Sequence, residues 1–297
     1  MTSSLYSPAQ SRRTFSASLQ QPGATLADMA FTREMASKVP EVTLYFWLIK
    51  ILGTTVGETA ADSLDADLGI GLIGTAALTS VFLVVALIIQ FTRKQYVPWV
   101  YWLVVVLISV VGTLITDILT DDLGVPLEVS TGVFAVALAA TFGIWFASER
   151  TLSIHSIRTP KREAFYWFAI LFTFSLGTAA GDLIAEQVDL GYAKSAVLFG
   201  VVIAVVAAAH FGLKLNAVLA FWIAYVVTRP LGASIGDLLT QDRDEGGLGF
   251  GPTVVSIVFT IVIVALVAFL TGTKVDVLPE PSNERQPADA QTGDAVR

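Results

Sequence analysis

The chain has 297 residues, 54% of them hydrophobic and 14% charged, with a mean hydropathy of +0.70, whereas soluble domains carry about 25% charged residues. An ordinary soluble globule is excluded. The chain has no cysteine, which excludes disulfides, thiolate metal centres and cysteine nucleophiles, and two histidines and three methionines leave oxygen as the ligand for any metal. The net charge of -7 matters less as a sum than in its distribution across the two faces of a membrane, and nucleic acid is not an expected partner.

Residues 1–37, rich in Ser, Ala, Thr and Gln, read as a disordered cytoplasmic tail. Within them Ser11-Arg12-Arg13-Thr14-Phe15 has the form of a twin-arginine export motif, but the apolar stretch that such a signal needs does not follow it. Apolar stretches long enough to cross a hydrocarbon core about 30 Å thick then recur near 41–64, 69–92, 98–119, 129–148, 163–185, 192–213, 215–240 and 251–272. They predict an all-α integral membrane protein with eight transmembrane helices, a first half at 38–148 and a second at 149–272. Residues 273–297, polar and Pro-containing, read as a second disordered tail, and an even number of spans puts both tails on one side.

The spans repeat. Trp47, Trp102, Trp167 and Trp222 stand early in the odd-numbered spans; ten residues after each comes Gly57, Gly112, Gly177 or Gly232, and fifteen after each comes Asp62, Asp117, Asp182 or Asp237. A Leu-Gly pair closes each odd helix (Leu68-Gly69, Leu123-Gly124, Leu190-Gly191, Leu248-Gly249), and a featureless apolar helix follows. Four tandem two-helix units of this kind, and KVPEVTLYFWLIKILGTTVGETAADSL in the first copy above all, are similar to a family of bacterial membrane-anchored proteins built from a repeat of unknown function. The resemblance covers residues 38–272 and implies a bacterial inner-membrane protein; it brings no established activity. Since each unit contains two spans, all four enter the membrane in the same direction, and parallel repeats predict a pseudo-fourfold or pseudo-twofold bundle.

Fourteen of the 18 Lys and Arg fall in the tails or in the loops before odd spans: Arg12, Arg13, Arg33, Lys38, Arg93, Lys94, Arg150, Arg158, Lys161, Arg162, Lys214, Lys274, Arg285 and Arg297. By the positive-inside rule that side is cytoplasmic. The opposite loops carry Asp65, Asp67, Asp121, Asp122, Glu128, Glu186, Asp189, Asp242, Asp244 and Glu245 against Lys194 and Arg243, a negative field that concentrates cations.

Positions seven, eleven and fifteen after each tryptophan share one helix face. They read Thr54, Glu58, Asp62; Ser109, Thr113, Asp117; Phe174, Thr178, Asp182; and Arg229, Ala233, Asp237. An ionised carboxylate near the bilayer centre costs about 2.5 to 3.5 kcal/mol on insertion scales, so such a stripe is expected to face a cavity, a partner or an ion. Glu58 and Lys50 occur only in the first copy and Arg229 only in the fourth. In a ring the first and fourth units are neighbours, so Glu58 and Arg229 are expected to pair, with Lys50 as a rival partner two turns below. The glycines belong to GxxxG-type pairs (Gly53/Gly57, Gly177/Gly181, Gly232/Gly236) that let backbones pack closely. The four repeat tryptophans, with Trp99 and Trp145, are expected to form an interfacial belt.

The stripe points to a cation transporter or channel, with Asp62, Asp117, Asp182 and Asp237 as the site for a hard metal ion or a proton, and Glu58, Thr54, Thr113 and Thr178 beside them. Lys50 and Arg229 would gate it, and the lipid bilayer and a small cation are the expected partners. The alternative is a non-transporting interaction or sensory protein whose polar stripe only assembles the bundle. An enzyme is not expected, since no nucleophile and base constellation is visible.

Overall fold

The computed structural model describes residues 37–277. The greater part of both tails, with the Arg12-Arg13 pair, Arg33, Arg285 and Arg297, lies outside the described residues, as does the side chain of Asp67. Eight long helices follow in order: α1 Leu44–Leu68, α2 Gly71–Thr92, α3 Pro98–Asp117, α4 Leu127–Glu149, α5 Pro160–Asp182, α6 Tyr192–Leu213, α7 Ala217–Thr240 and α8 Pro252–Thr273. Among the described residues there is no strand. Seven of these helices are long and apolar enough to cross a membrane, as in a multi-pass membrane protein. The exception is α1, whose Lys50, Glu58, Asp62, Asp65 and Asp67 break up its apolar run.

Local chemistry sets the helix ends. Thr43 and Thr159 cap α1 and α5 by accepting from the backbone N–H of Phe46 and Arg162, and Asn216 caps α7 by accepting from Val218 and Leu219. Pro98, Pro160 and Pro252 occupy the first turns of α3, α5 and α8, where a missing N–H costs nothing. The Leu-Gly pairs end in glycines with φ of 61°, 64°, 75° and 71°, a left-handed conformation that a Cβ disfavours. In the second and third copies the inner helix runs on past its aspartate into a π-helical turn, Ile118–Asp122 after α3 and Leu183–Gln187 after α5.

The odd helices form a closed ring: α1 packs on α3, α3 on α5, α5 on α7 and α7 on α1. Each even helix lies outside, chiefly on the inner helix of the next copy: α2 on α3, α4 on α5, α6 on α7, and α8 back on α1. Burial follows this layering. In their most apolar stretches α3, α5 and α7 are 56–61% buried, against 6–28% for the even helices, which leave Val81, Phe82, Val136, Val201 and Ile261 exposed as a lipid-facing surface would.

Glycine explains how the ring closes. A Cβ on Gly57 would collide with Ser109, one on Gly112 would stand 2.7 Å from the Cβ of Phe174, one on Gly177 would collide with Arg229, and one on Gly232 would collide with Thr54. In every case position ten of one copy receives position seven of the next, and the fourth copy receives the first. Thr116 and Ser175 tie the same α3–α5 joint, each donating to a carbonyl across it, of Ser175 at 3.1 Å and of Gly112 at 3.2 Å.

At the tryptophan end the chain segments outside the helices are knitted together. Lys38 pairs with Glu163 at 2.6 Å, Gln90 donates to the other oxygen of Glu163 at 3.0 Å, and the backbone of Glu41 donates to the carbonyl of Asp276 at 2.9 Å. Tyr96 donates its hydroxyl to the Asp276 carboxylate at 2.6 Å. Residues 274–277, assigned to a disordered tail from sequence, therefore begin with a docked stretch in which Asp276 is buried. Burial holds the Asp276 carboxyl above its ordinary value, although the Tyr96 bond opposes the shift.

Candidate functional site

Along the ring axis the repeat positions form layers. At the level of the tryptophans the ring is filled with aromatic rings. The residue before each tryptophan is aromatic as well, and it contacts the tryptophan of the next copy: Phe46 with Trp102 (5.6 Å between centroids), Tyr101 with Trp167 (5.5 Å), Tyr166 with Trp222 (6.2 Å) and Phe221 with Trp47 (5.8 Å). The hydroxyls of Tyr101 and Tyr166 bond to each other. The belt expectation thus fails for Trp102, Trp167 and Trp222, which are buried in this cluster, and Trp47 is half-buried. It fails for Trp145 too, fully buried and stacked on Phe165 at 6.2 Å, whereas Trp99 is exposed as a belt residue should be. The missed signal was in the sequence: an aromatic precedes the tryptophan in all four copies.

One turn further along, Lys50 is completely buried. Its Nζ sits 4.4 Å from the ring centroid of Phe174 and 4.2 Å from that of Tyr225, and it makes no hydrogen bond in the structure. The rivalry for Glu58 is therefore settled against Lys50, whose Nζ lies against two aromatic faces.

Arg229 occupies the next layer, also completely buried. Its Nη2 shares its two hydrogens among Glu58 Oε2 at 2.6 Å, Thr178 Oγ1 at 2.6 Å and Thr113 Oγ1, all within hydrogen-bond reach, while Nη1 reaches the carbonyl of Thr54 at 3.4 Å. Glu58, Thr113 and Thr178 are the position-eleven residues of the first three copies, and the fourth has Ala233. One guanidinium from the fourth copy thus binds the other three where the small Ala233 leaves room, and the expected pair with Glu58 is formed. The hydroxyl of Thr54, expected beside the site, instead donates to the carbonyl of Ile51 at 2.7 Å and packs against Gly232.

Beyond the ion pair stand the four aspartates, each one helical turn above position eleven. All four feel the charge of Glu58. Asp117 also interacts with Asp62 and Asp182, and Asp237 with the same two, so every pair of neighbours around the ring is in electrostatic reach. Asp121 and Glu186 extend this field: both lie nineteen residues after a tryptophan, both fall in the π-helical turns, and they interact with each other. Among the described residues, however, no three His, Asp or Glu side chains stand close enough to hold one metal ion. A single metal ion gripped by Asp62, Asp117, Asp182 and Asp237 together does not fit this arrangement.

The layers give the ring an acidic end, a buried cationic middle and an aromatic closure. No curated protein and no solved structure matches the chain. A family model described as a Repeat of Unknown Function (DUF347) matches residues 45–96, 100–151, 165–215 and 220–276. Each match takes in one inner helix with its tryptophan, glycine and aspartate and the outer helix after it, so the chain belongs to this family of tandem repeats.

Proposed function

We propose that the protein crosses a cytoplasmic membrane eight times and moves a small cation, a proton or a hydrated metal ion, through the acidic end of its ring. The observation that carries this reading is the set of four repeated aspartates one turn above a buried ion pair, each within electrostatic reach of its neighbours around the ring. A bundle that needed only apolar packing would have no use for carboxylates in that layer, each of which costs free energy in a membrane. With no three carboxylates gathered on one point among the described residues, the ring suits protons taken singly, or a cation such as Mg²⁺ that keeps much of its water, better than a fully stripped ion. α1 would cross with the rest because its charged face lies inside the ring. Arg93, Lys94, Arg150, Arg158, Lys161, Arg162, Lys214 and Lys274 cluster at the aromatic end, so the positive-inside rule makes that end cytoplasmic and the aspartate end outward.

Reconstitution into liposomes, with pH-sensitive and Mg²⁺-sensitive dyes inside, tests the proposal. The wild type is expected to move one of these ions, and Asp→Asn at 62, 117, 182 or 237 to slow the same ion; four fully active variants would sink the shared site. A thiol placed at position 66 in this cysteine-free chain should label from outside only. The second reading, a structural bundle without transport, draws support from Arg229, which holds three other copies. In that case the wild type moves neither ion.

A further inference from the structure

The outer helices are not seated alike. α8 packs on α1 and also closes against α3. α4 holds the equivalent place beside α7, but it reaches α7 through Phe142 and Trp145, whose rings contact Trp222 at 4.8 and 5.9 Å. A groove of about 460 Å³ remains there, with Phe142, Leu152, Trp222, Ile223, Val226 and Val227 on its walls and Asn216 at its end. Its rim is held in place by Trp222, whose Nε1 donates to the carbonyl of Leu152 at 2.9 Å.

Length and charge identify the occupant. From Asn216 to Val227 the groove follows α7 for about 16 Å at 1.5 Å per residue, roughly half of a 30 Å hydrocarbon core, which is the depth of one leaflet. Next to its Asn216 end the chain carries Arg150 and Lys214, outside the lining itself but each two residues before a groove residue, and each capping a helix in the left-handed conformation (φ 55° and 57°). Both are exposed, and neither has an ion-pair partner among the described residues. An apolar slot one leaflet deep beneath two free cations has the form of an anionic phospholipid. The geometry points to a lipid site in which one acyl chain lies between α4 and α7 while the phosphate headgroup meets Arg150 and Lys214. This goes beyond the transport reading and shares with it only the membrane setting, so a protein that moves no ion would still bind the lipid.

The test is native mass spectrometry of the purified full chain after incubation with equal amounts of phosphatidylglycerol and phosphatidylcholine carrying the same acyl chains. Two juxtamembrane cations at about 1 kcal/mol each correspond to a preference of about 30-fold for the anionic lipid. Arg150→Gln with Lys214→Gln, both at the exposed rim, should bring the two lipids close to parity. Val226→Phe with Val227→Phe, which fills the slot, should lower retention of both. Parity in the wild type, a preference that survives removal of the two charges, or a second copy of the chain retained on this face and lost on filling the slot would each overturn the proposal.

Discussion

Cutting one side of the Glu58–Arg229 pair should harm the protein more than cutting both. Arg229 is completely buried and Glu58 nearly so, and removal of one partner from a buried ion pair costs about 3 to 5 kcal/mol because the other is left uncompensated. Arg229→Gln keeps the Cβ and Cγ against which Gly177 packs, so the helix joint is preserved and the loss is chiefly of charge and hydrogen bonds. That variant also forfeits the bonds to Thr113, Thr178 and the Thr54 carbonyl. Interhelical hydrogen bonds in membranes average about 0.6 kcal/mol, so these three add roughly 2 kcal/mol, and Arg229→Gln should be the worse of the two single variants. In the double variant no charge remains in that layer, and only the hydrogen-bond loss persists. With about 3 kcal/mol as the lower bound for each uncompensated partner, the two single costs together reach about 8 kcal/mol against about 2 kcal/mol for the double variant, so the expected coupling is at least about 6 kcal/mol. Unfolding of the four proteins by SDS in mixed micelles measures it, and single effects that add to within about 0.5 kcal/mol would show that the two residues act separately.

Gly57→Ala, Gly112→Ala, Gly177→Ala and Gly232→Ala should each destabilise the ring by about 1 to 3 kcal/mol, the usual cost of overpacking. Gly132→Ala, Gly143→Ala and Gly200→Ala, with nothing within 4 Å of the added methyl, should stay within about 0.5 kcal/mol of wild type in the same titration. Asp276 gives a pH dependence. Its folded-state value lies above the ordinary 3.8, so the proton it binds stabilises the fold fully below the ordinary value, and that stabilisation is lost as pH rises through the raised one. Asp276→Asn, which keeps an acceptor for Tyr96, should therefore be more stable than wild type at pH 8 and equal to it at pH 3; a gap that widens on acidification would contradict the assignment.

Much of this architecture was legible because a repeat turns one helix into four witnesses. The helix bounds follow from hydropathy and the close packing at the glycines from their GxxxG spacing, while the Glu58–Arg229 pair follows from offsets counted from the tryptophans, since equivalent residues on equivalent helices must lie at one height. What offsets do not give is direction around the ring. A tryptophan near a helix end satisfies the belt rule, and only packing shows that Trp102, Trp167 and Trp222 turn towards the preceding copy and not towards lipid. The same limit hid the partner of Lys50. Hydropathy ranks Phe174 and Tyr225 as ordinary apolar filling, and their role as two faces of a cage depends on the third and fourth inner helices meeting the first.

Charge along the axis bears on how a cation could pass. In the middle of the ring the Arg229 guanidinium is balanced by the Glu58 carboxylate, and Arg229 and Lys50 both lie near the ring of Phe174, Lys50 Nζ at 4.4 Å and the guanidinium carbon at 5.8 Å. A cation descending from the aspartates would meet a guanidinium already compensated by Glu58 at 2.6 Å, so this layer obstructs it by occupying the axis more than by net charge. Below them the aromatic layer fills the ring. On the transport reading the filled axis calls for movement, and passage requires the Glu58–Arg229 pair to part. The glycine joints are the places where that motion would be felt, because Gly177 packs directly on the Arg229 stem and Gly232 on Thr54, whose carbonyl the same guanidinium reaches. Opening the pair displaces α7 against both of its neighbours at once, which ties access at the centre to the packing of the whole ring.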